Sequence, residues 1–411
     1  VSVHSLKVKT GAETALAQQF GALSPSEPRR AAFAAFERQG LPTRRDEAWH
    51  YTDLRARLTE VAALAPTPDA ARLEAASAAL AALPRLGGMR LVLVDGRWAP
   101  ALCDPPPGGL TAVPTSDAPE PDEAVVALNV AFTEGALRIG LPPGESALEI
   151  VHLDGPGAIF SRIEVFAPAR ARATVVERFE GATAETQRNA MTILGLGESA
   201  RCDWTTVIAD EAALHLETRR ARLAGEAALN DFALVSGGAL VRRQLDAGHQ
   251  AASAKIALSG LSLLAGTRHA DTTLTVRHAA PLGQSREYFR HIVADAASGV
   301  YQGKVIVSPG AQKTDGAMKS QALLLSPTAQ MNNKPELEIF ADDVVCGHGA
   351  TVGALDPQQI FYLRSRGIPE REAEAMLLEA FGVEAIERVA DETVAEALRA
   401  LLRQWLKGRA A

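Results

Sequence analysis

The sequence predicts a mainly β chain whose centre is a solenoid of short strands, with helical segments before and after it. Three observations carry that expectation. From about Ala147 to Ile339 the chain breaks into short segments such as "ALEIVHL", "RIEVFAP", "ATVVERF", "AMTILGL", "CDWTTVI" and "KIALSGL", rich in Val, Ile, Leu and Thr and bounded by turn residues. A faint echo runs through them, with "GESARCDWTTV" from Gly197, "GEAALNDFALV" from Gly225 and "GHQAASAKIAL" from Gly248, spaced by 28 and 23 residues. Repeats of that length suit coils that each bury one apolar side against the next. Regular short strands also suit a β-sandwich, and the texture leaves that alternative standing. The third observation is the change to helical composition on both sides of this region.

The N-terminal elements follow in order. In "SEPRRAAFAAFERQGLP", Ser26 is placed to cap, Pro28 falls in the first turn, Phe33 and Phe36 share a face, and Gly40 with Pro42 ends a short amphipathic helix. "DAARLEAASAALAALP" has the alanine and leucine content of a helix stopped by Pro84. "MRLVLVDGRWAP" reads as a hairpin around Asp95 and Gly96. Residues 103–123, "CDPPPGGLTAVPTSDAPEPDE", read as a loop or linker, which puts a domain boundary near residue 125. The expected organisation is a mostly helical domain over 1–125, the β core over 126–355 and a helical domain over 356–411.

At the far end, "PEREAEAMLLEAFG" starts with Pro369 and acids and should stop at Gly382. "DETVAEALRALLRQWLKG" puts Val394, Leu398, Leu401, Leu402 and Trp405 on one stripe. That stripe either packs on its own domain or forms a partner-binding module, since Trp and Leu at a chain end can make an interface core.

Charge and composition exclude several roles. Forty-nine acids against 42 bases give a formal charge of −7 with no basic block, so a nucleic-acid footprint is missing. Three cysteines at wide spacing argue against a disulfide framework and for a reducing compartment, with the cytoplasm expected. The first 20 residues contain no apolar core of signal-peptide length, and no apolar run approaches the ~20 residues that span a bilayer, so a soluble protein is expected.

Chemistry narrows to few residues. The sequence holds no G-x-x-x-x-G-K-[ST] loop, no H-E-x-x-H pair, no G-x-S-x-G elbow and no C-x-x-C. "GLGESA" at 195–200 looks like a Gly-rich cofactor loop, but it lies among strands with no helix after it. His269, His278 and His291 could form a metal or acid/base cluster, or be ordinary polar positions on separate coils. In "ADDVVCGHGATVG", Cys346 and His348 stand two residues apart. An extended chain would place Asp342, Cys346 and His348 on one side. The pair admits three readings: a nucleophile with its base, part of a metal site, or two core neighbours. Thiolate and imidazole both suit iron or zinc, yet a closed tetrahedral site needs four ligands and the stretch offers two or three. Another part of the fold, or another chain, would have to supply the rest.

The sequence as a whole resembles the SufD family of the Suf iron-sulfur cluster assembly machinery, which is related to SufB. The resemblance rests on "RRDEAWHYTDL" at 44–54, "RHADTTLTVRHAAPLGQSREYFRHI" at 268–292, "GAQKTDGAMKSQALLLS" at 310–326 and "PELEIFADDVVCGHGATVGALDPQQIFYLRSRGI" at 335–368, together with the helical tail. The chain is shorter than is usual for SufB and lacks its C-x-x-C-containing segment. "DEAWHYTDL" is typical of SufD. The resemblance implies a right-handed parallel β-helix core flanked by N-terminal and C-terminal helical domains. It also implies a non-enzymatic scaffold that pairs with a SufB-like β-helix paralogue and docks a SufC-like ATPase through its C-terminal helices, where Val394, Leu398, Leu401 and Trp405 lie. By the match of "VVCGHGA", His348, with Cys346 beside it, would take part in holding a transient iron-sulfur cluster at the SufB interface. No permanently bound cofactor is expected, and ATP is expected only through the ATPase. A homodimer of the isolated chain is compatible with this picture. The alternative from another class is a carbohydrate-active enzyme on a β-helix, a lyase or esterase.

Overall fold

The computed structural model of the chain describes residues 8–106 and 108–410. Residues 1–7 of the stretch examined for a signal segment, Pro107 of the Pro-rich stretch, and Ala411 lie outside the described residues. Among those described, the strands form two sheets, one of ten and one of nine, and from Ala136–Gly140 onward successive strands alternate between them. In the ten-stranded sheet, Glu145–Leu153, Arg172–Glu180, Arg201–Ile208, Ala228–Val235, Lys255–Leu264, Gln284–Val293, Asp315–Leu324 and Val345–Gly353 stack in parallel. Each coil therefore contributes one strand to each sheet, and the core is a β-solenoid. The pairing advances by between 26 residues, from Leu214 to Leu240, and 32, from Ser298 to Gln330.

One corner of the coil repeats with little change. Arg170, Ser199, Glu226, Ser253, Leu282 and Lys313 each take a left-handed φ, between 55° and 64°. Non-glycine residues pay roughly 1–2 kcal/mol for that conformation. The compensation is a ladder in which each of these N–H groups donates to the corner carbonyl of the following coil, from Arg170 to Glu198 (2.8 Å), through Ser199 to Gly225 (2.8 Å), to Lys313 with Asp343 (2.6 Å). This corner explains the echo in the sequence. Gly197 and Gly225 both precede it, whereas Gly248 lies inside the strand Leu240–His249, and the third corner belongs to Ser253.

One apolar cluster runs between the sheets from Leu91 to Ala341, and the middle coils add buried ion pairs to it. Arg219 reaches across to Glu177 (2.7 Å) and to Asp231, and Arg243 holds Glu217 (2.8 Å), all of them buried. Such charges are tolerated because every one is paired.

Helices cover the outer faces of both sheets. Gly11–Gly21, Glu27–Gln39 and Ala124–Phe132 pack Phe20, Phe33, Phe36 and Phe132 onto Met191, Leu214 and Leu240 of the nine-stranded sheet. The Phe20 and Phe33 rings stack at 4.1 Å. Glu370–Ile386 and Glu392–Ala410 lie on the ten-stranded sheet. Three sequence expectations change here. The hairpin forms at Asp95 and Gly96, but Met89–Val94 also pairs in parallel with Glu145–Leu153, because Leu91 and Leu93 turn into the solenoid core while Val92 and Val94 pack under the helix Ala70–Ala82, so both faces are covered. The Pro-rich stretch contains an edge strand, Thr111–Thr115, where Pro114 forfeits no ladder bond that a central strand would need. Gly382 does not stop its helix; a Cβ there would lie 2.7 Å from Leu402, so the glycine admits the last helix rather than ending its own. No helix among the described residues is long and apolar enough to cross a membrane.

Candidate functional site

Among the described residues the last strand, Val345–Gly353, pairs with Asp315–Leu324 on one side and with no strand on the other, so its outer edge is unpaired. Cys346 lies beside Gly316 and His348 beside Met318. The thiol packs over Gly316, where a Cβ would lie in ordinary contact 3.4 Å from Cys346 Sγ. Cys346 is half-buried against the solenoid core, and by strand alternation His348 stands on the same side, exposed. Burial pushes the Cys346 thiol up from its ordinary value, against a lowering backbone hydrogen bond from Gly316. Gly347 and Gly349 face open space on the opposite side of the strand, and His348 itself is exposed.

Asp342 does not join them. The strand begins only at Val345, and the preceding bend turns Asp343 into an ion pair with Lys313. No hydrogen bond joins Cys346 to His348, and among the described residues no three His, Cys, Asp or Glu side chains converge on a possible metal position. The pair therefore supplies two donors where a tetrahedral ion needs four. Two coils below, on the same inward columns, Ser285 aligns with Gly316 and Cys346, and Glu287 with Met318 and His348. Glu287 is 1 % exposed, neither carboxyl oxygen has a hydrogen-bond partner among the described residues, and burial pushes it up to about 8. Sequence reading passed over Glu287, whose position under the pair is visible only once the register is known.

The three histidines of the 268–292 stretch are not brought together. His269 is held by Thr52 at Nε2 (2.8 Å) and Arg57 at Nδ1 (3.3 Å). His278 ends the same strand, beside His249 of the neighbouring coil. His291 is on the other sheet, buried and 6.3 Å from the Tyr301 ring. They occupy separate coil positions.

The conspicuous N-terminal stretch has a structural task. Trp49 lies under the Arg242 guanidinium at 3.8 Å, the Ala48 carbonyl accepts from Arg242 (2.7 Å) and Gln302 (3.1 Å), and the Thr52 hydroxyl donates to Asp271. It clasps three successive coils of the nine-stranded sheet.

The C-terminal stripe divides. Val394, Leu398 and Leu402 are buried on Val207, Phe232, Leu261 and Leu263 of the solenoid, while Leu401 and Trp405 are half-buried at the margin. The apolar groups this region leaves exposed are Phe361 (73 %) and Tyr362 (57 %) on the helix Pro357–Ser365, with Met376 on the next. The sequence analysis did not single these out, although "QQIFYLRS" pairs two aromatics with polar neighbours.

Residues 151–381 match the family described as SUF system FeS cluster assembly, SufBD core domain. The chain is 30 % identical over 392 residues to the iron-sulfur cluster assembly protein SufD of Escherichia coli (strain K12), covering 91 % of each chain. It is 27 % identical over 383 residues to an iron-sulfur cluster assembly SufBD family protein of Synechocystis, covering 85 % of this chain and 84 % of that one. Over 116 residues, 28 % of this chain and 26 % of the other, it is 35 % identical to the iron-sulfur cluster assembly protein SufD of Bacillus subtilis (strain 168).

Proposed function

We infer, given that this chain belongs to the SufBD family of iron-sulfur cluster assembly proteins, that it is a non-enzymatic scaffold subunit whose open solenoid end forms half of a cluster-assembly site. The observation that carries this reading is the last strand, where a thiol and an imidazole share one side of a strand with an unpaired edge. A SufB-like β-helix paralogue set against that end can satisfy the edge backbone, as strand addition does elsewhere. It can add the thiolate or carboxylate donors that the pair lacks. Iron and sulfide are cargo at this interface, held transiently by Cys346 and His348. With its pKa raised, Cys346 stays a thiol until a metal ion displaces the proton.

ATP enters only through a SufC-like ATPase, docked on the C-terminal helical segment. Phe361 and Tyr362 support that placement, because they leave an exposed aromatic pair on the helix that follows the site strand after three residues. Movement of that helix would reach Gly353 almost directly. In the absence of the paralogue, two copies of the chain can meet through the same edge.

The test is His348→Ala in a reconstituted mixture with the paralogue and the ATPase. Circular dichroism and complex mass should be unchanged, and cluster yield should fall to background. Wild-type cluster yield in the variant would overturn the reading.

A further inference from the structure

We propose that Glu287 is the interior counter-charge for a cation held at the Cys346–His348 edge, giving up its own proton when the cation arrives. The inference rests on the reading of that edge as a metal-holding site. Glu287 lies in the lumen of the solenoid, in the column that runs from Leu258 through Glu287 and Met318 to His348. The leucine one coil below shows that an apolar side chain suits this column. The carboxyl that replaces it is 1 % exposed, and neither oxygen has a hydrogen-bond partner among the described residues. Native proteins seldom keep such a group unpartnered unless it has work to do.

The charged residues around it are turned elsewhere. Arg286, next in the chain, faces outward to Asp315. Asp231, two coils below in the same column, is held by Arg219, and Arg243, two coils below Tyr301 on the opposite sheet, by Glu217 (2.8 Å). The titratable groups on the lumen side are His291, which burial keeps neutral, Tyr301, whose phenol burial and Glu287 push well above its ordinary value, and the edge pair itself. Burial raises Glu287 to about 8, more than Ser285 and Arg286 lower it, so at neutral pH this end of the lumen is uncharged.

A dication at the edge reverses that balance. Two strand spacings separate it from Glu287 by ~10 Å of interior that salt screens poorly. Ser285 Oγ and Cys346 Sγ both lie 3.4 Å from the point where a Gly316 Cβ would stand, so hydroxyl and thiol face one spot on the way. An opposite charge favours the ionised carboxyl. The S–H bond of Cys346 and the O–H bond of Glu287 break, the metal–sulfur bond forms, and both protons go to solvent. One thiolate and one carboxylate then match the dication.

The test titrates the full chain with Zn2+ at pH 7 by calorimetry in buffers of different ionisation heat, which counts released protons. Wild type should release about one proton more per zinc than Glu287→Gln, and bind zinc ~10-fold more tightly. Glu287→Leu, copying the leucine below it, should behave as Glu287→Gln does. Infrared difference spectra of the wild type should lose a protonated-carboxyl band as zinc binds, a readout that needs no variant to fold. Zinc binding that is absent, or indifferent to Cys346→Ala, would overturn the edge reading and the counter-charge with it. Binding that needs Cys346 but keeps the carboxyl band, or releases equal protons with and without Glu287, would overturn the counter-charge alone.

Discussion

Glu287 shows what a single residue can impose on the whole chain. Its carboxyl is raised by burial from an ordinary 4.5 to about 8. Between those values the unfolded chain has lost the proton and the folded chain still holds it, so stability falls as pH rises through that window and levels off above about 8. Glu287→Gln removes the titration. Thermal or urea unfolding of both proteins between pH 6.5 and 8.5 should show the wild type losing stability relative to the variant, by roughly 1 kcal/mol per pH unit up to pH 8. Parallel curves would mean that the side chain reaches water. The buried histidines shift the other way, with His291 held down to about 3, and their loss of stability falls below pH 6.5, outside the range over which the two proteins are compared. Cys346 and His348 could be picked out of the sequence because cysteine is rare and glycines flank the pair. Glu287 could not, since its meaning depends on which residue lies 31 places away, a distance no local pattern encodes.

At the scale of elements, the clasp and the C-terminal helices make opposite predictions. Trp49 is 5 % exposed and covers Arg242, so Trp49→Ala should cost about 3–5 kcal/mol and lower the denaturant midpoint accordingly. A loss below 1 kcal/mol would mean that the N-terminal segment is not part of the cooperative fold. Phe361 and Tyr362 lie on the surface, so the double change Phe361→Ser and Tyr362→Ser should leave Tm within about 2 °C. The ATPase should no longer copurify, and undiminished copurification would place its dock elsewhere. The helices over 27–39 and 70–82 and the hairpin at Asp95 were legible because caps, proline stops and a turn dipeptide are local signals. The passage through Gly382 was not, because that glycine answers to Leu402 on another helix. The helix Ala124–Phe132, buried on every side, carries no period to read and fell where a boundary was expected.

On the scale of the whole molecule, the corner ladder makes the solenoid a graduated rod. Every coil adds one strand spacing of ~4.8 Å to its length, and each rung requires the left-handed residue to recur in step with the strand after it. Loops elsewhere around the coil absorb the variation between 26 and 32 residues, but the corner admits no fractional mark. The scale runs out at Asp343, whose own N–H donates to the Gln312 side chain (2.9 Å) instead of another corner. The distance from the Trp49 clasp to the Cys346 edge is thereby quantised. A lineage that gained or lost sequence in this core could move its reactive end only by whole notches, keeping its aim toward a partner at each.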